Sequence, residues 1–135
     1  MTWQENAEIV RRWWAGFNEG RLPPLELCDA EVEIQNPDEF PLPGPYHGHE
    51  GVQDWATEVW DVVEDHHVAI EEIIQAPDEK TVVMALRSTG RSREMQIDMD
   101  VPWAALWVIR NGKLTYAHGY MSLDEAREAA GLGSG

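Results

Sequence analysis

Basic residues and cysteine are scarce in this sequence, and it contains no long apolar run. The 135 residues include 10 Lys or Arg against 25 Asp or Glu, a formal charge of -15 at pH 7. Nucleic acids and anionic membranes are bound through basic patches, so we expect neither as a partner. The single cysteine, Cys28, has no second thiol with which to form a disulfide or a thiolate metal site. We interpret it as a small packed hydrophobe.

The same absences bear on location and domain organisation. No stretch reaches the ~18 apolar residues that a membrane span requires, and residues 1–5 lack a basic region followed by an apolar core. We therefore expect a cytoplasmic protein. A chain of 135 residues accommodates one hydrophobic core, so we predict a single domain over residues 1–132 and a flexible tail over residues 133–135.

Hydrophobic periodicity predicts helices first and strands afterwards. A helix N-capped by Asn6 should end near Gly20, a short one should open at Pro23-Pro24, and a long one should begin at Gly48 or His49. Five strands are predicted: Glu31–Asn36, Val68–Gln75, Thr81–Thr89, Met95–Ile109 and Leu114–Met121. This order indicates an α+β architecture in which a curved sheet wraps around helices.

Turn residues separate the last strands. Pro77-Asp78 and Gly90-Arg91-Ser92 mark two connections, and Asn111-Gly112 is the strongest hairpin signal in the chain. The proline-rich residues 38–45 should form a loop.

The C-terminal part resembles a known family ending. After Gly112-Lys113-Leu114 comes one strand and then the motif Glu-Ala-Arg-Glu-Ala-Ala-Gly-Leu at residues 125–132. Proteins of the SnoaL-like and ketosteroid-isomerase-like group, in the nuclear transport factor 2-like superfamily, end in D-G-K-I, strand, E-Y-x-D, E-A-x-x-A-x-G-L. The acidic positions of that strand are Gly119 and Ser122 here. The resemblance runs over residues 8–132.

The resemblance implies a fold and a pocket. The fold is an NTF2-like cone, with a curved antiparallel sheet around three N-terminal helices and a short C-terminal helix. Period-two alternation in the long strand predicts an apolar inward set: Ile97, Met99, Val101, Trp103, Ala105 and Trp107. The outward set is Gln96, Asp98, Asp100 and Pro102. If the last strand has the phase of the resembled proteins, Ala117, Gly119 and Met121 point inward.

We therefore predict a pocket for a hydrophobic small molecule. Its expected ligand-binding residues are Trp13, Phe17, Tyr46, Trp55, Val59, Val101, Trp103, Ala105, Gly119 and Met121. Tryptophans wall such cavities well because each presents a large flat face. Ordinary core packing is the alternative for each of them.

Matching the residues to the catalytic sets of the resembled enzymes leaves each set broken. In the ketosteroid isomerase pattern Trp13 replaces the tyrosine and Asn36 the base, and a neutral amide cannot accept a proton at neutral pH. In the limonene-epoxide hydrolase pattern Asn36 is kept, Ile34 replaces the tyrosine and Gly119 the water-activating aspartate. The second acid of the isomerases would fall near Trp103 or Ala105.

Three residues remain as catalytic candidates: Asn36, His47 and Asp100. Asn36 ends a strand beside the mouth, although an Asx turn before a proline is the alternative. His47 precedes the long helix. SnoaL-type polyketide cyclases use an acid in the pocket, and one β-bulge in the long strand would turn Asp98 and Asp100 inward.

The pairs His47/His49 and His66/His67 lack a third ligand at metal spacing, and there is no glycine-rich phosphate loop, so no metal or cofactor is implied. Tyr116, His118 and Tyr120 on the outer face of the sheet make us expect a homodimer.

Three hypotheses stay open at this point. The first is a pocket protein for a cyclic or aromatic metabolite. The second is a cofactor-independent isomerase, a polyketide-cyclase-like lyase or an epoxide-hydrolase-like enzyme. The third is a non-catalytic dimeric interaction module whose cone is filled by its own tryptophans.

Overall fold

The computed structural model describes residues 2–40, 42, 44–78 and 80–132. Within them the chain forms three α-helices and a 3₁₀ turn: α1 (Trp3–Asn18), the 3₁₀ turn Leu25–Leu27, α2 (Gly48–Val62) and α3 (Leu123–Ala129). The strands are β1 (Cys28–Gln35), β2 (Tyr46–His47), β3 (Val63–Gln75), β4 (Thr81–Ser92), β5 (Asp98–Arg110) and β6 (Lys113–Tyr120). The tail predicted for residues 133–135 lies outside the described residues.

The strands form one sheet in the order β2-β1-β6-β5-β4-β3. β1 runs parallel to β6, and the other neighbours are antiparallel, so the sheet is mixed. The predicted α+β class is confirmed. The sequence pattern missed the short strand β2, because Tyr46 and His47 are too few to show a periodicity.

Helix α1 begins earlier than predicted. Thr2 is its N-cap: the Thr2 hydroxyl accepts from the Glu5 N–H at 3.2 Å, and the Glu5 carboxylate accepts from the Thr2 N–H at 3.1 Å. This is a reciprocal capping box. The prediction of Asn6 as N-cap is wrong, because the Thr-x-x-Glu pattern starts the helix four residues before it and Asn6 is buried inside the helix.

The β3–β4 pair also departs from the prediction. β3 begins at Val63, and its register with β4 shifts between Glu64 and His67, where Asp65 has φ 50°. Opposite this bulge, Gly90 has φ 154°, and a Cβ there would lie 2.7 Å from Val63 Cγ1. Gly90 is therefore a strand residue that the bulge requires to be glycine, and not part of a turn.

The connection from β4 to β5 follows Ser92 and includes Gln96 at φ 54°. Ile97 consequently precedes β5 and is 53% exposed. Its predicted inward position is wrong, since the alternation only holds once the strand has begun. The other predicted hairpin is confirmed: Asn111 and Gly112 both have positive φ, 53° and 76°, as a two-residue primed turn needs.

The core lies on the concave side of the sheet, beneath α1 and α2. It is dominated by aromatic rings, with Trp13 and Trp107 in an edge-to-face contact at 5.0 Å and Phe17 stacked on Trp60 at 5.3 Å. Cys28 belongs to this core, and burial raises the pKa of its thiol to about 11, so it is a packed, protonated side chain.

Helix α3 covers the opposite face of the sheet, where Ala126 packs with Val83 and Ala104. None of the described helices has the length and apolar character needed to cross a membrane.

Candidate functional site

A cavity of about 640 Å³ opens between α1, α2, β3, β4 and β5. Its walls are mainly apolar and aromatic. The half-buried and buried lining residues are Trp14, Phe17, Asn36, Pro37, Phe40, Trp55, Val59, Val62, Val63, His66, Val68, Ser88, Ser92, Met99, Val101 and Trp103. The exposed lining residues, which we call the mouth, are Glu39, Asp61, Arg93, Glu94, Met95 and Met121.

Tryptophan side chains close the narrow end of the cone. A second, small space of about 20 Å³ lies beyond this end, separated from the cavity by the rings of Trp14, Trp55 and Trp103, which line both. That space has room for about one water molecule. Trp13 and Ala105 border only this small space. The prediction that they line the main cavity is therefore wrong. They pack as core instead.

Asn36 lies where the loop after β1 meets α2, and it is only 7% exposed. Its Oδ1 accepts a hydrogen bond from Trp55 Nε1 at 2.9 Å, and its Nδ2 donates to the Leu42 carbonyl at 2.7 Å. These contacts take the place of an Asx turn. Both ends of the amide are thus engaged in holding an indole and a loop.

A second polar chain crosses β3, β4 and β5. Trp103 Nε1 donates to Ser88 Oγ at 2.9 Å, and Ser88 Oγ lies 3.0 Å from His66 Nε2. Because an indole N–H only donates, Ser88 accepts from Trp103 and its own hydroxyl hydrogen is free to reach His66 Nε2. Burial lowers the pKa of His66 to about 4, so the ring is neutral at pH 7.

His66 and Ser88 were not singled out as pocket residues from the sequence. In the sequence His66 stands out only as half of a histidine pair with His67, because the bulge at Asp65 that sets the direction of its side chain has no sequence pattern. Ser88 follows Arg87 in β4 and so lies on the inner face of that strand. Strand alternation was the signal that could have found Ser88.

Most of the predicted ligand-binding residues do line the cavity: Phe17, Trp55, Val59, Val101, Trp103 and Met121. Tyr46 does not. It is half-buried in β2 and packs against the edge of the core, close to Gly51 of α2. The predicted candidate Asn36 also lines the cavity.

Asp100 lies on the outer face of the sheet and not in the cavity. Its carboxylate accepts from Arg87 Nη1 at 2.6 Å, and Glu71 accepts from the Nε of the same arginine at 3.2 Å. The pairing of β4 with β5 is continuous from Asp98 to Val108, so the bulge that would have turned Asp100 inward is absent from these fully described strands. The catalytic role predicted for Asp100 has no geometric basis.

His47 is likewise outside the cavity. Its side chain is 61% exposed, and its Nε2 lies 3.1 Å from a carboxylate oxygen of Glu31. The residue begins the turn into α2 as the N-cap, which directs its ring toward the β1 edge and solvent. His47 therefore lacks the access to a bound molecule that its predicted role requires.

The packing around Gly119 leaves no room for the acidic side chain that the resemblance implies at this position. A Cβ there would lie 2.6 Å from Pro37 Cδ and 3.1 Å from Trp103 Cζ3. Pro37 and Trp103 therefore occupy the space that a side chain would need. The backbone at Gly119 borders the small inner space and an outer groove, and not the main cavity.

Three of the six residues of the mouth are acidic. Glu39, Asp61 and Glu94 line it, and no hydrogen bond or ion pair of these carboxylates is found within the described residues. Arg93 donates from Nε to the Trp60 carbonyl at 3.3 Å and lies 3.7 Å from Glu64. Among the described residues no group of three or more His, Cys, Asp or Glu side chains is placed to hold a metal ion.

A family model for the SnoaL-like domain matches residues 10–117, which is most of the chain. The protein belongs to the SnoaL-like family. A comparison of this SnoaL-like sequence with curated proteins gave no match.

Solved structures with this fold are numerous. An NTF2-like protein from Burkholderia pseudomallei K96243 is 20% identical, with a TM-score of 0.76 and coverage of 92% of this chain and 95% of that one. Bal32a, from a soil-derived mobile gene cassette, is 21% identical, with a TM-score of 0.77 and coverage of 87% and 88%.

SalBIII, an epoxide hydrolase/cyclase-like enzyme with a role in pyran ring formation in salinomycin, is 15% identical, with a TM-score of 0.75 and coverage of 88% and 92%. At such identities the likeness shows the fold of the SnoaL-like chain and no more.

Proposed function

We propose that this SnoaL-like protein binds a small hydrophobic metabolite, cyclic or aromatic, in the cavity. The observation that carries the proposal is the cavity itself: about 640 Å³ of space with aromatic walls. Ligand pockets of drug-sized molecules have volumes of about 300–1,000 Å³ and are mainly apolar. A pocket of this size and chemistry accommodates a molecule of roughly two to four fused or linked rings.

Rigid ring walls support the same ligand class. Asn36 holds the Trp55 indole and Ser88 holds the Trp103 indole, each by a hydrogen bond of 2.9 Å. The rings are thereby oriented before a ligand arrives, so less conformational entropy is lost on binding. Flat ligands gain from stacking or edge contacts with such rings, by about 0.5–1.5 kcal/mol each beyond the area they bury.

Ligand binding is better supported than acid–base catalysis by the residues predicted to be catalytic. Asn36 is engaged at both ends, and His47 and Asp100 do not reach the cavity. Among the described residues of the cavity interior the titratable side chain is that of His66, and its lowered pKa makes it a weak base. SalBIII, which has the same fold, is an epoxide hydrolase/cyclase-like enzyme with a role in pyran ring formation. Any compound that binds this protein should therefore also be assayed for turnover.

Tryptophan fluorescence tests the proposal. Neutral aromatic, terpenoid, steroid and polyketide-like compounds are titrated into the wild type, into Val101→Phe and into Val108→Phe. Val101 lines the cavity, whereas Val108 lies on the same strand but points to the outer face. We expect saturable quenching in the wild type and Val108→Phe, and at least about tenfold weaker binding in Val101→Phe because the larger ring fills the cavity.

Equal binding to both variants would place the ligand elsewhere and contradict the proposal. No saturable response to any compound would also contradict it, and would favour the dimeric interaction module instead.

A further inference from the structure

The side-chain polar atoms of Asn36 and Ser88 that face the cavity are already engaged. Two other polar atoms of lining residues, Trp14 Nε1 and His66 Nδ1, have no hydrogen-bond partner, but they have almost no accessible surface and so are not presented to a bound molecule. The Asn36 amide is used by Trp55 and Leu42, and the Ser88 hydroxyl by Trp103 and His66. A ligand that brought a polar or charged group into this interior would leave it without a strong partner, at a cost of about 1–3 kcal/mol for a neutral group and more for a charge. The polar end of a ligand is therefore better placed at the mouth.

The charge at the mouth selects the sign of that polar end. Three carboxylates, of Glu39, Asp61 and Glu94, line it without ion pairs to the described residues. Arg93, the cation that lines the mouth, is engaged by Glu64 and the Trp60 carbonyl. The chain as a whole carries a formal charge of -15, which adds to the negative potential there.

We propose that the ligand is a lipophilic amine, protonated at neutral pH, whose ring system lies between Trp14, Trp55 and Trp103 and whose ammonium group lies at the mouth. This inference rests on the proposed function and names the ligand class for the same cavity. The carboxylates at the mouth attract the ammonium group, which stays hydrated there and avoids the cost of full burial. A cation close to the edge of an aromatic wall gains further from the ring faces.

An anionic ligand of equal size is disfavoured by the same arrangement. It would meet the carboxylates of Glu39, Asp61 and Glu94 on entry. Among the described lining residues it would find no free cation, because His66 is neutral at pH 7 and Arg93 is paired.

Three probes with the same ring system separate charge from shape: 1-naphthylmethylamine, 1-naphthylmethanol and 1-naphthoate. Isothermal titration calorimetry at pH 7, in 20 mM and 300 mM NaCl, should show the amine binding about tenfold more tightly than the alcohol at low salt, and the carboxylate more weakly than the alcohol. The preference should shrink severalfold at 300 mM, where the Debye length is only about 5–6 Å.

A matched pair of variants locates the effect. Glu39→Gln/Asp61→Asn/Glu94→Gln removes the mouth carboxylates, and Glu50→Gln/Asp54→Asn/Glu58→Gln removes three exposed carboxylates on α2 with the same change of net charge. We expect the first triple variant to bind amine and alcohol alike, and the second to keep most of the preference for the amine.

Each other outcome overturns the inference in a recognisable way. If the wild type binds the alcohol and the amine equally, the amine class is wrong while the proposed binding function stands. If both triple variants lose the preference equally, net charge and not the mouth is responsible. If none of the probes binds, and the wider panel of neutral compounds also fails, the proposed function falls with the inference.

Discussion

Glycine at position 119 shows how one residue decides what chemistry the site can hold. The resembled enzymes have an acidic residue in the strand that corresponds to β6. Here the Pro37 ring and the edge of the Trp103 ring fill the space that a Cβ at position 119 would enter. Trp103 is itself tied to Ser88, so it cannot move aside without losing a hydrogen bond. The packing of Pro37 and Trp103 therefore leaves no room for an acidic side chain at position 119.

Gly119→Ala should lower the free energy of unfolding by about 1–3 kcal/mol, because its methyl group would lie 2.6 Å from the rigid ring of Pro37. Gly16→Ala is the control. A Cβ there has Arg21 Nε at 4.0 Å as its nearest neighbour, and alanine in a helix is favoured by about 0.5–1 kcal/mol. Urea unfolding of both variants measures the difference, and an unchanged Gly119→Ala would contradict the described packing.

Three neighbouring strands are linked by side chains as well as by their backbone ladders. His66 of β3, Ser88 of β4 and Trp103 of β5 form one hydrogen-bonded chain along the wall of the cavity. The bulge in β3 makes this chain possible, because it brings His66 to the face on which Ser88 lies. The strands thus define the position of the Trp103 ring to which a ligand would bind.

The His66 ring makes stability fall in acid. Burial is the main cause of its lowered pKa, about 4 against an ordinary value of 6.5. Below pH 6.5 the His66 side chain becomes protonated in the unfolded chain, whereas in the native chain it stays neutral down to about pH 4. The contribution of His66 to the free energy of unfolding is therefore complete above pH 6.5 and is lost as the pH falls to 4. At ~1.4 kcal/mol per pH unit over a shift from 6.5 to about 4, the loss is at most about 3.5 kcal/mol.

His66→Gln should flatten the pH dependence of unfolding between pH 6.5 and 4, while His67→Gln should keep most of it, since His67 is exposed and only a secondary cause of the shift. Urea unfolding at several pH values measures both. The same slope in His66→Gln as in the wild type would show that His66 titrates normally.

The charge of the chain and its outer sheet face act together on assembly. His118 stacks on Tyr120 at 4.4 Å and lies near Tyr116 on the face of β6 that points away from the core. Two copies of a chain with a formal charge of -15 repel one another, and added salt screens that repulsion. An aromatic interface between such chains should therefore be favoured by salt.

We predict a homodimer through this face, tightening severalfold between 20 mM and 300 mM NaCl in sedimentation equilibrium. His118→Glu should weaken it by at least about tenfold, and Thr57→Glu, on the exposed side of α2, should have little effect beyond its added charge. A monomer at all protein concentrations in both salts would contradict the prediction.

Much of the fold could be predicted because it depends on near neighbours in the chain. The Asn111-Gly112 hairpin, the alternation from Met99 to Trp107 and the closing helix after Ser122 depend on residues a few positions apart. The start of α1 was missed although its capping box is just as local. The start of β3 was missed for another reason, since a bulge depends on the strand opposite.

The amino-acid sequence by itself determined the fold class, the order of the elements and an apolar, tryptophan-rich concave face, since periodicity and turn residues specify these locally. Only the tertiary structure decided which polar groups remain available. Asn36 meets Trp55 across 19 residues, Ser88 meets Trp103 across 15 and His66 meets Ser88 across 22. Contacts over such separations form only when elements distant in the chain pack together, and no local sequence pattern encodes them.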